Sequence, residues 1–243
     1  MSRRRWIADE HDSSLSTAAI TGQNAKHLSR VLRARAGQEC DIVCSGRLFL
    51  ARIKSVSDER VEFALEEDLG PATSSAKEVV LLLAVFKFDR MEWALEKATE
   101  LGVSRIQPVI AARTDVHLAK SAPKRVVRWQ KIAREAAQQS RRGQAPEILP
   151  PMALKPAIAE YGNGLRIVLS ESEQAASLLD LVSAGSASVT FAVGPEGGWN
   201  QAELSAFQVA GWQAATLGTN ILRAETAAIA GLALILALAK LHP

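Results

Sequence analysis

The chain has 243 residues, of which 48% are hydrophobic and 23% are charged, and its formal net charge is +3. This length and composition are typical of a globular protein with one large domain or two modest ones. The net charge is too small for a uniformly basic surface, so any nucleic-acid footprint must be a local patch.

The sequence also argues against a secreted, a membrane-spanning and a zinc-binding protein. The N-terminal stretch MSRRRWIADEHD has no apolar run after its basic start, so we do not expect a signal peptide. The longest apolar run, Ala227 to Ala239, is too short to span a bilayer. Cys40 and Cys44 cannot complete a four-ligand zinc site. We therefore expect reduced thiols, no metal, no membrane contact and a cytoplasmic location.

The first 68 residues are rich in predicted strands. The segments CDIVC, RLFLARIKSV and RVEFALEE are short and β-prone, and SG and SDE turn signals separate them. One helix is predicted over TGQNAKHLSRVLRARAG, with Thr21 as its N-cap and Gly37 as its stop signal. The stretch DLGPATSSAKE follows and is predicted to be a linker.

From about residue 77, predicted strands alternate with predicted helices. The strands are EVVLLLAVF, VSRIQPVIA, LRIVLS, ASVTFAVG and AATLG, and the helices are DRMEWALEKATELG, APKRVVRWQKIAREAAQQS, QAELSAFQVA and ETAAIAGLALILALAK. This alternation predicts an α/β domain with a mostly parallel sheet covered on both faces.

Two helices carry basic stripes. In the first, Lys26, Arg30 and Arg33 recur at helical spacing on one face, with His27 beside them and an apolar face opposite, formed by Leu28, Val31 and Leu32. In the second, the stripe consists of Lys124, Arg128 and Lys131, and the inward face opposite it of Trp129, Ala133 and Ala136. Arg141 and Arg142 extend the positive charge past the predicted end of the helix. Each stripe is either an ordinary solvated face or a set of phosphate contacts with RNA or DNA.

The glycine-rich loop VGPEGGWN, Val193 to Asn200, follows a predicted strand. It lacks the GK[ST] ending of a phosphate-binding loop and does not match the dinucleotide fingerprint. Gly197 and Gly198 would let the backbone approach a bulky ligand. Two interpretations of Glu196 stay open: it favours a cationic ligand, or it caps the next helix near the positive end of its dipole.

A second loop, LGTNILRAETAA, leads from a strand predicted to end at Gly218 to a helix starting near Ala224. Both loops follow the carboxyl ends of parallel strands, where α/β proteins bind ligands. Together with the LSES loop after RIV, they are predicted to wall one pocket.

These segments jointly resemble the 16S ribosomal RNA uracil-N3 methyltransferases of the SPOUT class. The matching segments, in order, are HLSRVLRARAGQ, DRMEWALEKATELGVSRIQPV, RWQKIAREAAQQSRRGQAPEI, GPEGG and LGTNILRAETAA, and the likeness runs from about residue 3 to residue 240. The family often has Asp-Gly where this chain has Ser45-Gly46, and a His pair where it has Lys26-His27.

The resemblance implies a PUA-like β-barrel RNA-binding domain over residues 1–70. It also implies a SPOUT α/β domain over residues 77–243, with a C-terminal deep trefoil knot that holds S-adenosylmethionine. The family acts as a homodimer on 16S ribosomal RNA in the small ribosomal subunit, methylating N3 of the uridine numbered 1498.

By position, the resemblance implies three cofactor-binding loops. Their residues are Leu169, Ser170, Glu171, Gly194, Pro195, Glu196, Gly197, Gly198, Leu217, Gly218, Ile221, Leu222, Arg223, Glu225, Thr226 and Ala227. The expected RNA contacts are Arg4, Arg5, Lys26, His27, Arg30, Arg33, Arg128, Arg141 and Arg142.

Arginine suits the stabilisation of negative charge on the uracil oxygens, because it is always charged and donates through a fixed fork. Arg223 is the first catalytic candidate and Arg5 the second; no general base is evident, and hydroxide, Glu225 or a water could serve. Two other functions stay open: a SPOUT enzyme for another ribosomal or transfer RNA site, and a non-catalytic ribosome-assembly protein.

Overall fold

The computed structural model describes residues 5–72, 78–171, 176–182 and 188–241, which form two compact units. The first unit holds residues 5–72 and 137–144, and the second holds the remaining described residues. Arg4 lies outside the described residues, so its expected RNA contact has no structural counterpart here.

The first unit is built on one six-stranded sheet with the order β1-β4-β5-β6-β3-β2. Its strands are β1 (Arg5–Ile7), β2 (Glu10–Asp12), β3 (Thr17–Thr21), β4 (Glu39–Cys44), β5 (Arg47–Val56) and β6 (Arg60–Pro71). The two edge strands, β1 and β2, follow one another in the chain. In the connection between them, the N–H of Ala8 donates to the carbonyl of Val43 and the N–H of Asp9 donates to the carbonyl of Ala19, each over 2.8 Å. This connection joins the two edges of the sheet, as in a small barrel.

The predicted strands at β4, β5 and β6 are confirmed. The predicted linker is wrong at its start, since β6 continues to Pro71 by pairing with β5. The predicted helix is also shorter than expected. It consists of α1 (Gly22–Lys26) and a π-helical turn (His27–Val31), and Arg33 already has a left-handed backbone with φ 50°. The helix therefore ends well before Gly37.

The second unit contains a seven-stranded sheet in which every pair is parallel. The strand order is β10-β8-β7-β12-β11-β13, and β9 pairs with β8. The strands are β7 (Glu78–Ala84), β8 (Arg105–Ile110), β9 (Glu147–Ile148), β10 (Met152–Ala153), β11 (Leu165–Leu169), β12 (Ser188–Val193) and β13 (Gln213–Ala215).

Helices cover both faces of this sheet. They are α2 (Phe88–Leu101), α3 (Val116–Ser121), α4 (Val126–Gln139), α5 (Leu154–Glu160), α6 (Leu178–Val182), α7 (Gln201–Val209) and α8 (Ala224–Leu241). Alternate residues of β7 enter opposite cores: Leu81 and Leu83 pack with α2 and α8, whereas Val80 and Leu82 pack with α5 and α7. Strand side chains alternate between faces, so a strand buried on both sides is apolar throughout. The predicted α/β architecture is confirmed.

Candidate functional site

A cavity of about 410 Å³ lies in the second unit, where β11, β12 and β13 end. The loop after each of these strands contributes to its wall. The lining residues are 169–171, 193–199 and 215–224, with Arg90, Arg113, Leu204 and Ala227. The carboxyl edge of a parallel sheet thus carries the pocket, as the sequence predicted.

Most residues predicted to bind a cofactor line this pocket. The exceptions are Glu225 and Thr226, which follow the loop into the first turn of α8. Glu225 is buried: its Oε2 has no hydrogen-bond partner in the described parts of the chain, and its Oε1 lies 3.9 Å from Nε of Arg90. The predicted start of α8 at Ala224 is confirmed. The strand before this loop ends at Ala215, not at Gly218 as predicted, because its pairing with β11 stops there.

Trp199 joins two of the pocket loops. Its indole Nε1 donates to the carbonyl of Leu169 over 3.1 Å, and its side chain is buried. A Cβ added at Gly194 would lie 3.2 Å from the Trp199 ring, so the glycine lets the backbone pass closely over the indole. The loops after β11 and β12 are therefore held together by packing and one hydrogen bond.

Glu196 pairs with an arginine and does not cap the following helix. Its Oε1 accepts a 2.6 Å hydrogen bond from Nη1 of Arg90, on α2. The start of α7 is capped instead by Asn200 and Glu203: the side chain of each accepts a hydrogen bond from the backbone N–H of the other. Of the two interpretations of Glu196 in the sequence, the helix cap is wrong.

Two glycines give the pocket backbone conformations that side chains disfavour. Gly198 has φ 68° and Gly218 has φ 127°, and a Cβ at either position would meet nothing within 4 Å. The backbone at these points therefore faces open space, which leaves room for a bulky ligand to approach closely.

Two exposed arginines also line the pocket. Arg113 follows β8, and its Nη1 donates to the carbonyl of Gly197 over 2.5 Å. Arg223 lies in the loop before α8 with its side chain exposed. The sequence interpretation found Arg223 but missed Arg113, Arg90 and Trp199. Arg90 and Arg113 are far from the pocket loops in the sequence, and Trp199 directly follows GPEGG, but the spacing of residues along the chain gives no signal of the contacts that these side chains make.

The first basic stripe is rearranged relative to the prediction. Lys26 and His27 are exposed, but Arg33 lies beyond the end of the helix. Val31, which was predicted to belong to the buried apolar face, is exposed. Arg30 is bound to Asp58, donating to its Oδ2 from Nε over 2.7 Å. The hydrogen bond from Arg30 holds the pKa of Asp58 down at about 2, with help from Ser29.

The inward face of the second stripe is confirmed, since Trp129, Ala133 and Ala136 are buried. Arg128 is exposed but engaged: its Nε and Nη2 each donate to Glu92 over 2.7 Å. The cationic face that the sequence predicted is therefore partly neutralised by an acidic residue of α2.

Arg141 and Arg142 follow α4, in the part of the chain that belongs to the first unit. Arg141 is exposed and has φ 59°, and its carbonyl accepts a 2.7 Å hydrogen bond from Nη1 of Arg5. Burial lowers the pKa of Arg142. A Cβ at Gly143 would lie 2.4 Å from the Cβ of Ala72, so this turn packs closely on the end of β6. Arg5 thus braces a left-handed turn, a role that sequence reasoning missed.

The described residues contain no cluster of three or more His, Cys, Asp or Glu side chains placed to bind a metal ion. None of the described helices combines the length and apolarity needed to cross a membrane. Cys40 and Cys44 are both free thiols, as predicted, and both are buried.

Known families and proteins match this chain along most of its length. The RNA methyltransferase domain family matches residues 73–236, and the RNA methyltransferase PUA domain family matches residues 20–66. Ribosomal RNA small subunit methyltransferase E of Bacillus subtilis is 31% identical, over 90% of this chain and 89% of its own. The Synechocystis protein of the same name is 30% identical, over 92% of this chain and 74% of its own.

Solved structures match over nearly the whole chain. A ribosomal RNA small subunit methyltransferase E from Neisseria gonorrhoeae, bound to S-adenosylmethionine, superposes with a TM-score of 0.86. It is 32% identical, with 97% of this chain and 98% of that one covered. A Legionella pneumophila protein described as a methyltransferase with bound cofactor has a TM-score of 0.88 at 26% identity, over 98% of each chain.

Proposed function

This chain belongs to the ribosomal RNA small subunit methyltransferase E family, and we propose that it transfers a methyl group from S-adenosylmethionine to N3 of a uridine in 16S ribosomal RNA. The uridine we propose is the one numbered 1498. The atom and the position rest on the likeness of the sequence motifs. The reaction class is supported by the names of its relatives.

The observation that carries the proposal is the convergence of three strand-end loops on one cavity of about 410 Å³. Ligand pockets commonly have several hundred Å³ and few polar groups. This one has open space at Gly198 and Gly218, and none of the described residues that line it is a lysine. A polyphosphate-binding loop would carry a lysine at this position, whereas the proposed cofactor carries a sulfonium, an adenosine and no phosphate. The residues present therefore fit this cofactor.

We assign the cofactor contacts to the pocket residues of the three loops, 169–171, 194–198 and 217–223, with Ala227. When bound, the cofactor supplies a methyl group on a positively charged sulfur. The protein's part is to orient the two reactants, and positioning alone provides a large share of the rate in such transfers. Arg90 and Trp199 hold the loop after β12 in place for this purpose.

Arg223 is the proposed catalytic residue. Transfer of the N3 proton to hydroxide or water places negative charge on the uracil oxygens O2 and O4, and a guanidinium aimed at them stabilises that charge. Arg223 is exposed and lines the pocket, which supports this role. Arg5, the second candidate, already donates one Nη1 hydrogen bond to Arg141, and its buried Nε has no partner among the described residues.

We further propose that residues 1–70 bind RNA and that residues 77–243 carry out methyl transfer within a trefoil knot. The family matches over 20–66 and 73–236 support this division. The RNA contacts are proposed to be the exposed residues Lys26, His27, Arg33 and Arg141. Arg30 and Arg128 are proposed to contribute less, because each is bound to a carboxylate. A homodimer acting on the assembled small subunit is part of the same proposal.

Mass spectrometry of 16S ribosomal RNA from cells that lack this protein tests the function. We expect one N3-methylated uridine to disappear and to return when the wild-type chain is expressed. A strain that expresses Arg223→Ala at the same level is the matched control, because this variant is expected to be folded but far less active. If the methylated uridine persists in the deleted strain, the proposed substrate is wrong.

A further inference from the structure

The charged side chains that line the pocket do not balance one another. They are Arg90, Arg113, Glu171, Glu196 and Arg223. Arg90 and Glu196 form an ion pair. Neither Arg113 nor Arg223 lies within ion-pair distance of any carboxylate in the described ranges. Apart from this pair, two exposed guanidinium groups and one carboxylate, Glu171, line the pocket, so its charged side chains carry a net positive charge.

Arg113 is held in a defined position, although it is exposed. On its N-terminal side, the N–H of Ala112 donates to Oε1 of Glu203 over 2.7 Å. On its C-terminal side, the hydroxyl of Thr114 donates to the carbonyl of Val85 over 3.2 Å. These two anchors fix the backbone of the loop on either side of Arg113.

The side chain of Arg113 is anchored as well. Its Nη1 donates to the carbonyl of Gly197, and a Cβ added at Gly197 would lie only 3.3 Å from the Arg113 Cδ. One edge of the guanidinium is thus committed to the loop. The guanidinium has five N–H donors in a planar fork, so further donors stay available for a second acceptor. Preorganised donors of this kind bind anionic oxygen well, because little entropy is lost on binding.

The anion can be the carboxylate of the cofactor or a phosphate of the RNA. The cofactor carries a sulfonium, an ammonium and one carboxylate, so its binding adds a net positive charge beside the two arginines. The pocket is then more positive, which favours an anionic group of the RNA beside it. Resting on the function proposed above, we propose that Arg113 binds a backbone phosphate of the RNA next to the methylated nucleotide.

The test uses the full-length chain and small ribosomal subunits purified from cells that lack this protein. Affinity for the subunits is measured at several KCl concentrations with Mg²⁺ held constant, for Arg113→Gln, Arg113→Lys and the wild type. The matched control is Lys155→Gln, which removes the same charge at an exposed position of α5 outside the pocket lining. Affinity for S-adenosylmethionine is measured separately by calorimetry without RNA.

We expect Arg113→Gln to reduce the slope of log affinity against log salt by about 0.7, the value for one phosphate contact on a single strand. Arg113→Lys keeps the slope. Arg113→Gln also loses the hydrogen bond to Gly197, so its cofactor affinity falls, but that loss does not change the slope of RNA affinity against salt. An unchanged slope in Arg113→Gln, with or without a loss of cofactor affinity, overturns the inference. A wild-type chain that does not methylate the subunits overturns the proposed function and this inference with it.

Discussion

Glu196 and Arg90 lie 106 positions apart in the chain, yet Nη1 of Arg90 donates to Oε1 of Glu196 over 2.6 Å. The pair ties the loop after β12 to α2. It explains why a glycine-rich loop at this position carries an acidic residue: the carboxylate is matched by a cation within the protein and does not have to be matched by the ligand.

Arg90→Gln is expected to weaken binding of S-adenosylmethionine about fivefold, because both partners are partly exposed and such pairs contribute roughly 1 kcal/mol. Calorimetric titration of the cofactor measures this change. Glu196→Gln serves as the partner variant. The double variant should lose little more than either single one, whereas strictly additive losses would mean that the pair does not hold the loop.

Gly198→Ala is expected to reduce cofactor affinity, because its φ of 68° costs an L-residue roughly 1–2 kcal/mol and a Cβ would project into open pocket space. The matched control is Gly162→Ala, where the new Cβ would make only an ordinary 3.8 Å contact with a carbonyl. Equal cofactor affinity of the two variants would show that the loop after β12 does not contact the cofactor.

Arg223→Ala is expected to lower turnover about a hundredfold at saturating RNA and cofactor, because one charge-stabilising donor is lost. Cofactor affinity should change little, and Arg223→Lys should recover part of the rate by restoring the charge. Single-turnover methylation with mass-spectrometric detection measures the effect. An unchanged rate in Arg223→Ala would exclude a catalytic role for this residue.

Arg33→Gln is expected to flatten the salt dependence of RNA binding more than Arg30→Gln does. The charge of Arg30 is already matched by Asp58, whose pKa is held at about 2, so the pair stays ionised at neutral pH. Asp58→Asn should steepen the salt dependence by releasing Arg30. Equal slopes for the two arginine variants would mean that neither cation contacts phosphate, or that the pair opens on binding.

The stability of the first unit is expected to fall at alkaline pH because of Cys44. Burial raises the pKa of its thiol to about 11, with the nearby Asp68 adding to the shift. Between about pH 9 and pH 11 the thiol ionises in the unfolded chain but not in the folded one. The free energy of unfolding therefore decreases as the pH rises through this range. Urea unfolding at pH 8, 9 and 10 should show this loss for the wild type and a smaller one for Cys44→Ala. Parallel decreases would contradict the shift.

The sequence by itself determined the alternation of strands and helices in the second unit and the positions of the three loops that line its pocket. These features depend on local chemistry: apolar runs form strands buried on both faces, and glycines mark the turns that follow. The parallel order of such strands places their carboxyl ends at one edge, so the loops at Gly194 and Gly218 could be assigned to one pocket before any coordinates.

The sequence was less informative about the first unit. Its short strands β1 and β2 have only three residues each and no clear alternation, so they gave no pattern to recognise. The basic stripe at Lys26, Arg30 and Arg33 assumed a continuous helix, and the left-handed backbone at Arg33 ends that regularity. Local periodicity cannot report where tertiary packing interrupts a helix.

Only the tertiary structure decided which distant side chains complete the pocket. Arg90, Arg113 and Trp199 come from α2, from the loop after β8 and from the end of the glycine-rich loop, and each makes a hydrogen bond that fixes a pocket loop. Tertiary structure likewise placed Glu225 outside the lining, although its neighbours Ala224 and Ala227 belong to it. Such contacts depend on the three-dimensional path of the backbone and on side-chain direction, neither of which the spacing of residues along the chain contains.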